Sequence, residues 1–447
     1  MPAIADRIRR HLADPHSEHR KIALGFVWVG LFVFIGKLAG AAKEITIAWR
    51  YGVSETVDAY VFILNLVNWP VAVWFSVLTV VLVPLTARLR HDAPGELPRF
   101  RAELLGLALL IGVGLGLLAW LGLPILLRAG WLGLSGTALS EALQMAGGLS
   151  LLVPMGTVIS LFSAWLLAAG HHRNTLFEAI PAFALLVALL LPPAWLPEPL
   201  LWGTVTGFAL HMSALGLPLH RRGALPPPTF RQRSPAWTAF WGGFGVMSVG
   251  QVLTTSTNLI DQLFAAGLGE GALASLSYAG RILALLLGLG AIAVGRATLP
   301  VFSAANEGGE ARVTALALRW AMLMLAAGSV ALLVAWPLAP WGVSLLLERG
   351  AFTTRDTREV TMLFRLMALQ LPFYFSALVL VSALAAQRRH RWIAVSGGAN
   401  LLSKVPLALW LVPLYGIQGL VLSTVIMYAV SAALLLLFVV RPSRARF

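Results

Sequence analysis

Four charged side chains interrupt an apolar part of the chain, in the stretch GKLAGAAKEITIAWRYG at 36–52. This stretch directly follows the apolar run 22–35, so both are predicted to form one membrane-spanning helix. The four residues are Lys37, Lys43, Glu44 and Arg50. A cation in the middle of such a helix costs about 2.5–3.5 kcal/mol unless it has a partner or faces water. The chemistry to expect from them is therefore the binding of an anion in an enclosed, hydrated space.

The spacing of these charges divides them between two faces of the helix. At about 100° per residue, Lys37 and Glu44 share one face with Gly40 between them, and Lys43 and Arg50 share another. Lys43, Glu44 and Arg50 could equally reach the interface from the end of a long helix. Lys37 lies too deep for that, so we predict a functional role for it.

The second half of the chain carries a comparable charge, Arg281, in SYAGRILALLLGLG. Asp261, in STNLIDQLF, is a plausible ion-pair partner for it, although such a pair could simply hold two helices together. The remaining cations within predicted spans are weaker candidates because each is near a helix end or has no evident partner. They are Arg296, Arg319, Arg365 and Lys404.

Acidic side chains within the predicted spans are fewer than cations. They are Glu44, Asp58, Glu178 and Asp261. A cationic cavity suits a substrate with concentrated negative charge, such as a phosphate or diphosphate.

The composition indicates that the chain is an all-α polytopic membrane protein. Of 447 residues, 58% are hydrophobic and 12% are charged, and the mean hydropathy is +0.82. The net charge of +14 is explained by Lys and Arg in cytoplasmic loops, so no nucleic-acid partner is expected. The chain has no Cys and its His residues form no metal-binding motif, so neither a metal nor another cofactor is expected.

Twelve transmembrane helices are predicted from the apolar segments. They lie near 22–49, 57–86, 103–127, 140–169, 175–195, 199–219, 237–266, 272–303, 313–345, 358–386, 391–413 and 416–440. Lys and Arg are concentrated on the side that carries both termini, so both termini are predicted to be cytoplasmic. The expected location is the bacterial inner membrane.

An internal repeat relates the two halves of the chain. Tyr60 corresponds to Tyr278, and Pro154 to Pro372, at an offset of about 217 positions. We therefore predict two six-helix lobes related by a parallel repeat, with the substrate site between them. The predicted parts are a cytoplasmic N-terminal tail at 1–21, an N-lobe at 22–219, a basic Pro-rich linker at 220–235, a C-lobe at 236–440 and a cytoplasmic C-terminal tail at 441–447.

Several motifs, in this order, resemble the MurJ-type (MviN-like) lipid II flippases of the multidrug/oligosaccharidyl-lipid/polysaccharide exporter superfamily. The residues that carry the resemblance are the stretch 36–52 with Asp58-Ala59-Tyr60, then Asn258-Leu259-Ile260-Asp261, Tyr278-Ala279-Gly280-Arg281 and Arg349-Gly350-Ala351-Phe352-Thr353. The resemblance implies a flippase, not an enzyme. Its substrate would be an undecaprenyl-diphosphate-linked saccharide, moved from the inner to the outer leaflet by alternating access.

The resemblance also implies which residues bind the substrate. The diphosphate contacts fall on Lys37, Lys43 and Arg281, while Glu44 and Asp58 match acidic positions of the family and Asp261 belongs to a shared motif. Lys replaces Arg at both first-helix positions, which keeps the charge but loses the bidentate fork. An exporter of an exopolysaccharide or O-antigen lipid-linked oligosaccharide therefore stays open as an alternative. Membrane lipids and enzymes of cell-envelope synthesis are the other expected partners.

Other classes of function fit the sequence less well. A drug antiporter that exports cations would place unpaired carboxylates in the cavity, whereas cations outnumber them here. A glycosyltransferase or ligase would need acid/base residues on an outer loop, and only 348–359 (ERGAFTTRDTRE) is charged enough. The chain has no GxxxxGK[ST] motif, so the expected energy source is the membrane potential or an ion gradient.

Overall fold

The computed structural model describes residues 18–169, 177–221, 223–306 and 309–441. Most of the predicted N-terminal tail and all but Arg441 of the C-terminal tail lie outside these residues. The side chain of Arg296 also lies outside the described part of the structure.

Within the described residues the chain is helical, with no strand. Thirteen helices are described, numbered here in chain order. They are α1 (Glu18–Tyr51), α2 (Glu55–Asp92), α3 (Glu96–Arg128), α4 (Gly136–Leu149), α5 (Leu152–Ala168), α6 (Ile180–Leu190), α7 (Pro199–Arg221), α8 (Ala236–Ala266), α9 (Ala272–Asn306), α10 (Glu310–Leu347), α11 (Thr354–Ala368), α12 (Leu371–Ala386) and α13 (His390–Val440). Apolar segments of this kind form helices because a helix satisfies its own backbone polar groups where no water is available.

Six segments of the described chain are long and apolar enough to cross a membrane, or seven if the bent pair α4–α5 counts as one span. The all-α, polytopic class is thereby confirmed, while the count of twelve spans stays a prediction. Four predicted spans differ in detail from the structure. The span at 140–169 is bent by 47° between α4 and α5. In the one at 175–195, the helix that the described residues define is α6, which is 11 residues long. The spans at 391–413 and 416–440 are joined in α13, which is kinked at Gly416 (φ 58°, ψ −134°).

The described residues form two compact units, which do not follow the two halves of the sequence. Unit 1 comprises Met1–Thr46, Pro70–Trp120 and Gly147–Gly245, as far as these are described. Unit 2 comprises Ile47–Trp69, Leu121–Ala146 and Val246–Phe447, with the same restriction. Each unit has its own buried apolar core.

The chain that connects α7 to α8 is attached to α3 within unit 1. Glu103 is 3% exposed, and its carboxylate accepts hydrogen bonds from the Ser234 backbone N–H at 3.0 Å and from Trp237 Nε1 at 2.6 Å. The Thr229 N–H donates to the Ala102 carbonyl oxygen at 3.0 Å. This part of the predicted linker is non-helical, as its three prolines require, and it is held against α3.

Candidate functional site

Asp58 caps the beginning of α9 in unit 2. One carboxylate oxygen accepts a hydrogen bond from the Gly271 N–H and the other from the Ala274 N–H, each at 2.6 Å. The residue is 2% exposed. Because the first N–H groups of a helix lack partners and carry partial positive charge, a buried carboxylate is a favourable partner for them.

The connection between α1 and α2 makes further contacts at the same place. The Tyr278 hydroxyl donates to the Gly52 carbonyl oxygen at 3.1 Å, and the Tyr278 ring packs edge-on against Phe352 at 5.6 Å between centroids. The Ala351 N–H donates to the Trp49 carbonyl oxygen at 2.8 Å. We call Trp49, Gly52, Asp58, Gly271, Tyr278, Ala351 and Phe352 the Gly52 cluster.

Glycine is required at Gly52 for two reasons. Its φ of 59° lies in the left-handed region, and a Cβ there would collide with the Ala351 carbonyl group. Gly350, at φ 62°, meets the same two constraints against Trp49. The two connecting segments are therefore packed backbone to backbone.

The Gly52 cluster joins residues from three of the motifs on which the resemblance rested. Gly52 and Asp58 come from the first, Tyr278 from the third, and Ala351 with Phe352 from the fourth. Since both carboxylate oxygens of Asp58 bind backbone N–H groups, its observed role is to hold helices together. Its predicted contact with substrate stays a prediction.

The first-helix charges lie in unit 1. Lys37 is exposed on α1 and lies close enough to Glu178 for an electrostatic interaction. Next to it, a Cβ on Gly36 would be 3.7 Å from the Ala179 side chain, so the chain before α6 packs closely on α1. The cation that the sequence singled out therefore has an acidic neighbour from another segment.

Lys43 and Glu44 form an ion pair with each other, at 2.6 Å, with side chains 20% and 16% exposed. Both side chains are therefore largely buried, but part of the Lys43 side chain remains exposed. Their predicted binding of substrate is not decided by this contact.

Arg281 lies on α9 in unit 2, three residues after Tyr278. Its Nε donates to the Ser277 hydroxyl at 3.1 Å. Arg281 therefore lies about one helical turn after Tyr278, which belongs to the Gly52 cluster. Whether it shares a space with Lys37 and Lys43 of unit 1 stays a prediction.

Asp261 has a different ion-pair partner from the one the sequence suggested. Its carboxylate lies 2.5 Å from Nζ of Lys404, whose side chain is 0% exposed. The sequence showed no evident partner for Lys404, and the structure corrects that point. Its role as a weaker candidate for substrate binding stays a prediction. The groups that contact Lys404 lie on α8 and on the second part of α13, so no local sequence pattern around Lys404 identifies them. The available signal was the charge itself, isolated in an apolar helix.

The two other low-ranked arginines whose side chains are described lie outside these groupings. Arg319 is exposed on α10. Arg365 donates to the Trp336 carbonyl oxygen at 2.9 Å and lies over the Trp336 ring. Such a contact is typical of an arginine held in place by its neighbour.

The charged connection between α10 and α11 is organised by its own acidic residues. Glu348 accepts hydrogen bonds from the hydroxyls of Thr354 at 2.7 Å and Thr357 at 2.8 Å. Thr353 and Asp356 form a reciprocal capping box at the start of α11. These contacts explain the charges as supports for the connection, without acid/base catalysis. Among the described residues, no group of three or more His, Cys, Asp or Glu could hold a metal ion.

Comparison with known proteins agrees with the motifs. The family model described as lipid II flippase MurJ matches residues 47–445, so Lys37, Lys43 and Glu44 lie before the matched range. A probable lipid II flippase MurJ of Bdellovibrio bacteriovorus is 28% identical over 269 residues, which are 58% of this chain and 51% of that protein. One from Rhizobium meliloti is 30% identical over 185 residues, 40% of this chain and 34% of that protein. The chain thus aligns with about half, or less, of the length of these relatives.

The solved structures that resemble the chain share its helical fold. A lipid II flippase MurJ in an inward closed conformation has a TM-score of 0.79 at 18% identity, covering 92% of this chain and 87% of that chain. An inward-facing multidrug resistance MATE family transporter of the MOP superfamily has a TM-score of 0.72 at 15% identity, covering 90% and 93%. These likenesses establish the fold, and the family model, which covers most of the sequence, establishes the relationship. The chain belongs to the MurJ family of lipid II flippases, which are multi-pass transporters of the bacterial inner membrane.

Proposed function

We propose that this chain moves an undecaprenyl-diphosphate-linked saccharide, such as a lipid II-like peptidoglycan precursor, from the inner to the outer leaflet. Lys37, Lys43 and Arg281 contact the diphosphate in this proposal. The movement occurs by alternating access, and its energy comes from the membrane potential or an ion gradient.

The observation that carries the proposal is the Gly52 cluster. A transporter that works by alternating access must close one end while the other end admits substrate. The prediction that both termini are cytoplasmic puts the three connections that meet in the cluster, α1–α2, α8–α9 and α10–α11, on the outer side. Their mutual contacts supply a closed outer end, and the family membership of the chain supports a lipid-linked substrate.

The chemistry of the three cations supports a phosphorylated headgroup. Each is a donor in a predominantly apolar helix, where a diphosphate would provide several acceptor oxygens and compensating charge. Lys37 is exposed and Lys43 is 20% exposed, so neither is sealed inside packed protein.

An exporter of an exopolysaccharide or O-antigen unit on the same kind of carrier is the second candidate. The observation that favours it is the presence of lysine at 37 and 43, ahead of the range that the family model matches. Because an ammonium group does not form the bidentate fork of arginine, it recognises a phosphate less selectively.

The test is transport by variants that lose one cation. Lys37→Ala and Arg281→Ala should lower flipping at least about tenfold in a leaflet-accessibility assay on proteoliposomes, while insertion and thermal stability stay unchanged. Arg319→Ala, which removes an exposed cation from α10, is the matched control and should transport normally. Normal transport by both Lys37→Ala and Arg281→Ala would refute the proposed role of these cations.

Complementation separates the two candidate substrates. Cells that lack lipid II flipping and cells that lack an O-antigen or capsule exporter are each supplied with the chain. Rescue of the first supports the lipid II-like substrate, and rescue of only the second supports the alternative. Rescue of neither, with the protein correctly inserted, would contradict both.

A further inference from the structure

The Lys404 ammonium group is enclosed by oxygen atoms from two other helical segments of unit 2. Asp261 on α8 contributes a carboxylate oxygen at 2.5 Å. The part of α13 after the kink at Gly416 contributes the Leu420 carbonyl oxygen at 3.3 Å, the Ser423 hydroxyl at 3.0 Å and the Thr424 hydroxyl. Lys404 lies on the part of α13 before the kink, so the ammonium group joins all three segments.

The hydroxyl groups of this cage present lone pairs, not protons, to its centre. Ser423 donates its own proton to the Leu420 carbonyl oxygen at 2.6 Å. Thr424 lies within donating distance of the Asp261 carboxylate and the Leu420 carbonyl oxygen, each at 3.4 Å. All the groups that face Nζ are therefore acceptors, as they would be around a bound metal cation.

A further buried oxygen on α13 has no hydrogen-bond donor among the described residues. Asn400 precedes Lys404 by one helical turn, on the same face of α13. Its Oδ1 is buried and has no hydrogen-bond partner among the described residues. An unsatisfied buried acceptor of this kind costs free energy, and the Lys404 ammonium group does not satisfy it.

The charge and the exposure of the cage fit one monovalent ion. Among the residues that the structure describes, Asp261 is the acid that contacts the ammonium group, so one positive charge neutralises the site. The side chain of Asp261 is 20% exposed whereas that of Lys404 is 0% exposed. The cage is therefore reached from the side of the carboxylate, while the ammonium group fills its interior.

We propose that Asp261, Leu420, Ser423 and Thr424 form a monovalent-cation site whose permanent occupant is the Lys404 ammonium group. The tethered cation holds α8 and the two parts of α13 together as a bound Na⁺ or K⁺ would. The site consequently takes no metal ion in the native chain, and it becomes a metal-ion site when the ammonium group is removed. The proposal concerns ion binding and does not depend on which glycan the chain transports.

The experiment measures the thermal unfolding midpoint of the purified full-length protein in NaCl, KCl, NH₄Cl or choline chloride at equal ionic strength. The native chain should have the same midpoint in all four salts. Lys404→Ala should be less stable than the native chain in choline chloride, because it leaves the Asp261 carboxylate buried without a cation. Its midpoint should rise by about 3–6 °C in at least one of the other salts, because a small cation enters the vacated cage.

Two variants distinguish occupation of the cage from a general salt effect. Asp261→Asn combined with Lys404→Ala removes the carboxylate and should lose the selective response to small cations. Lys404→Met fills the cage with an uncharged side chain of similar length, and its midpoint should be equally low in all four salts. A response of Lys404→Met as large as that of Lys404→Ala would overturn the proposal.

Lys404→Gln provides the test if Lys404→Ala does not fold. It keeps most of the side-chain volume and a polar end but leaves Asp261 without a cation, so the small cations should stabilise it relative to choline. The proposal is wrong if the folded variant responds equally to choline and to the small cations. It is also wrong if the native chain itself is selectively stabilised by Na⁺ or K⁺ as strongly as the variant.

Discussion

Asp58 and Gly271, 213 positions apart in the chain, are joined by a hydrogen bond of 2.6 Å from the Gly271 N–H to the Asp58 carboxylate. The second oxygen of the same carboxylate binds the Ala274 N–H. One buried side chain on α2 thus supplies the cap that α9 lacks in its own sequence. The contact belongs to the Gly52 cluster, which we propose closes the outer end of the transporter.

Replacing Asp58 with Asn should loosen this contact. The amide keeps one acceptor but turns an N–H donor toward a backbone donor, at a cost of about 1–3 kcal/mol. Because the chain has no Cys, Ser54→Cys provides a unique probe beside the cluster. Its maleimide labelling should be about tenfold faster with Asp58→Asn than without it, since 1.4 kcal/mol corresponds to a factor of ten in an opening equilibrium. Equal labelling rates would show that the capping contact does not hold the cluster closed.

Gly52→Ala should destabilise the protein, whereas Gly40→Ala should not. At Gly52 the added methyl group meets both a positive φ of 59° and the Ala351 carbonyl group, for an expected loss of at least about 1–2 kcal/mol. At Gly40, within α1, a Cβ would have nothing within 4 Å, so alanine should be neutral or slightly stabilising. Thermal unfolding of the two variants in detergent provides the comparison. A Gly52→Ala midpoint no lower than that of Gly40→Ala would contradict the packing described for the cluster.

Glu103→Gln should release the connection between α7 and α8 from α3. Glutamine lacks the negative charge of the carboxylate that accepts hydrogen bonds from Ser234 and Trp237. Weakening these bonds to a buried charged acceptor should cost about 1–3 kcal/mol of stability. Arg231 and Arg233, exposed just before Ser234, then become better trypsin substrates, and their cleavage should be several-fold faster. Glu310→Gln, which changes an exposed carboxylate at the start of α10, is the control and should be cleaved like the native chain.

The connection between α10 and α11 should lose stability in acid. The Thr354 hydroxyl, followed by those of Ser344 and Thr357, lowers the pKa of Glu348 below its ordinary value of 4.5. A carboxylate whose pKa is lowered in the folded state stabilises that state above the ordinary value, and this contribution is lost as the pH falls through the lowered pKa. Hydrogen exchange at 348–357 should therefore be slower in the native chain than in Glu348→Gln at pH 7.

The difference between the two proteins should shrink as the pH falls below about 4.5, because the protonated native side chain then resembles the amide. Other carboxylates titrate in both proteins and cancel in the comparison. A difference that is independent of pH would contradict the role assigned to the Glu348 charge.

The sequence motifs identified the family correctly. They did not predict that residues from three of these motifs contact one another in the Gly52 cluster. Asp58, Tyr278 and Phe352 each belong to a motif that carries the family resemblance, and their spacing along the chain does not indicate that these motifs meet. Their contacts join helices that are more than 200 positions apart in the chain, as in the hydrogen bond between Tyr278 and Gly52. Short-range periodicity describes one helix at a time and cannot specify such a pairing.

The ion pair of Asp261 shows the same limit for charges. Burial of a lone carboxylate in an apolar helix required a cation, and the sequence offered Arg281 as the partner. The packing of α8 against α13 supplied Lys404 instead. Charge balance predicts that the Asp261 carboxylate has a cationic partner. Which residue that partner is depends on the position of the neighbouring helix.

The amino-acid sequence by itself determined that the chain is an all-α membrane protein, that it resembles the MurJ family, and that cations stand within its apolar helices. These conclusions follow from composition and from patterns a few residues long, because apolar length, charge and local backbone preference act within each segment. Only the tertiary structure decided that Asp58 caps α9, that Gly52 meets Ala351, and that an oxygen cage encloses Lys404. Those arrangements come from the packing of segments distant in sequence, where each contact depends on the position of both helices.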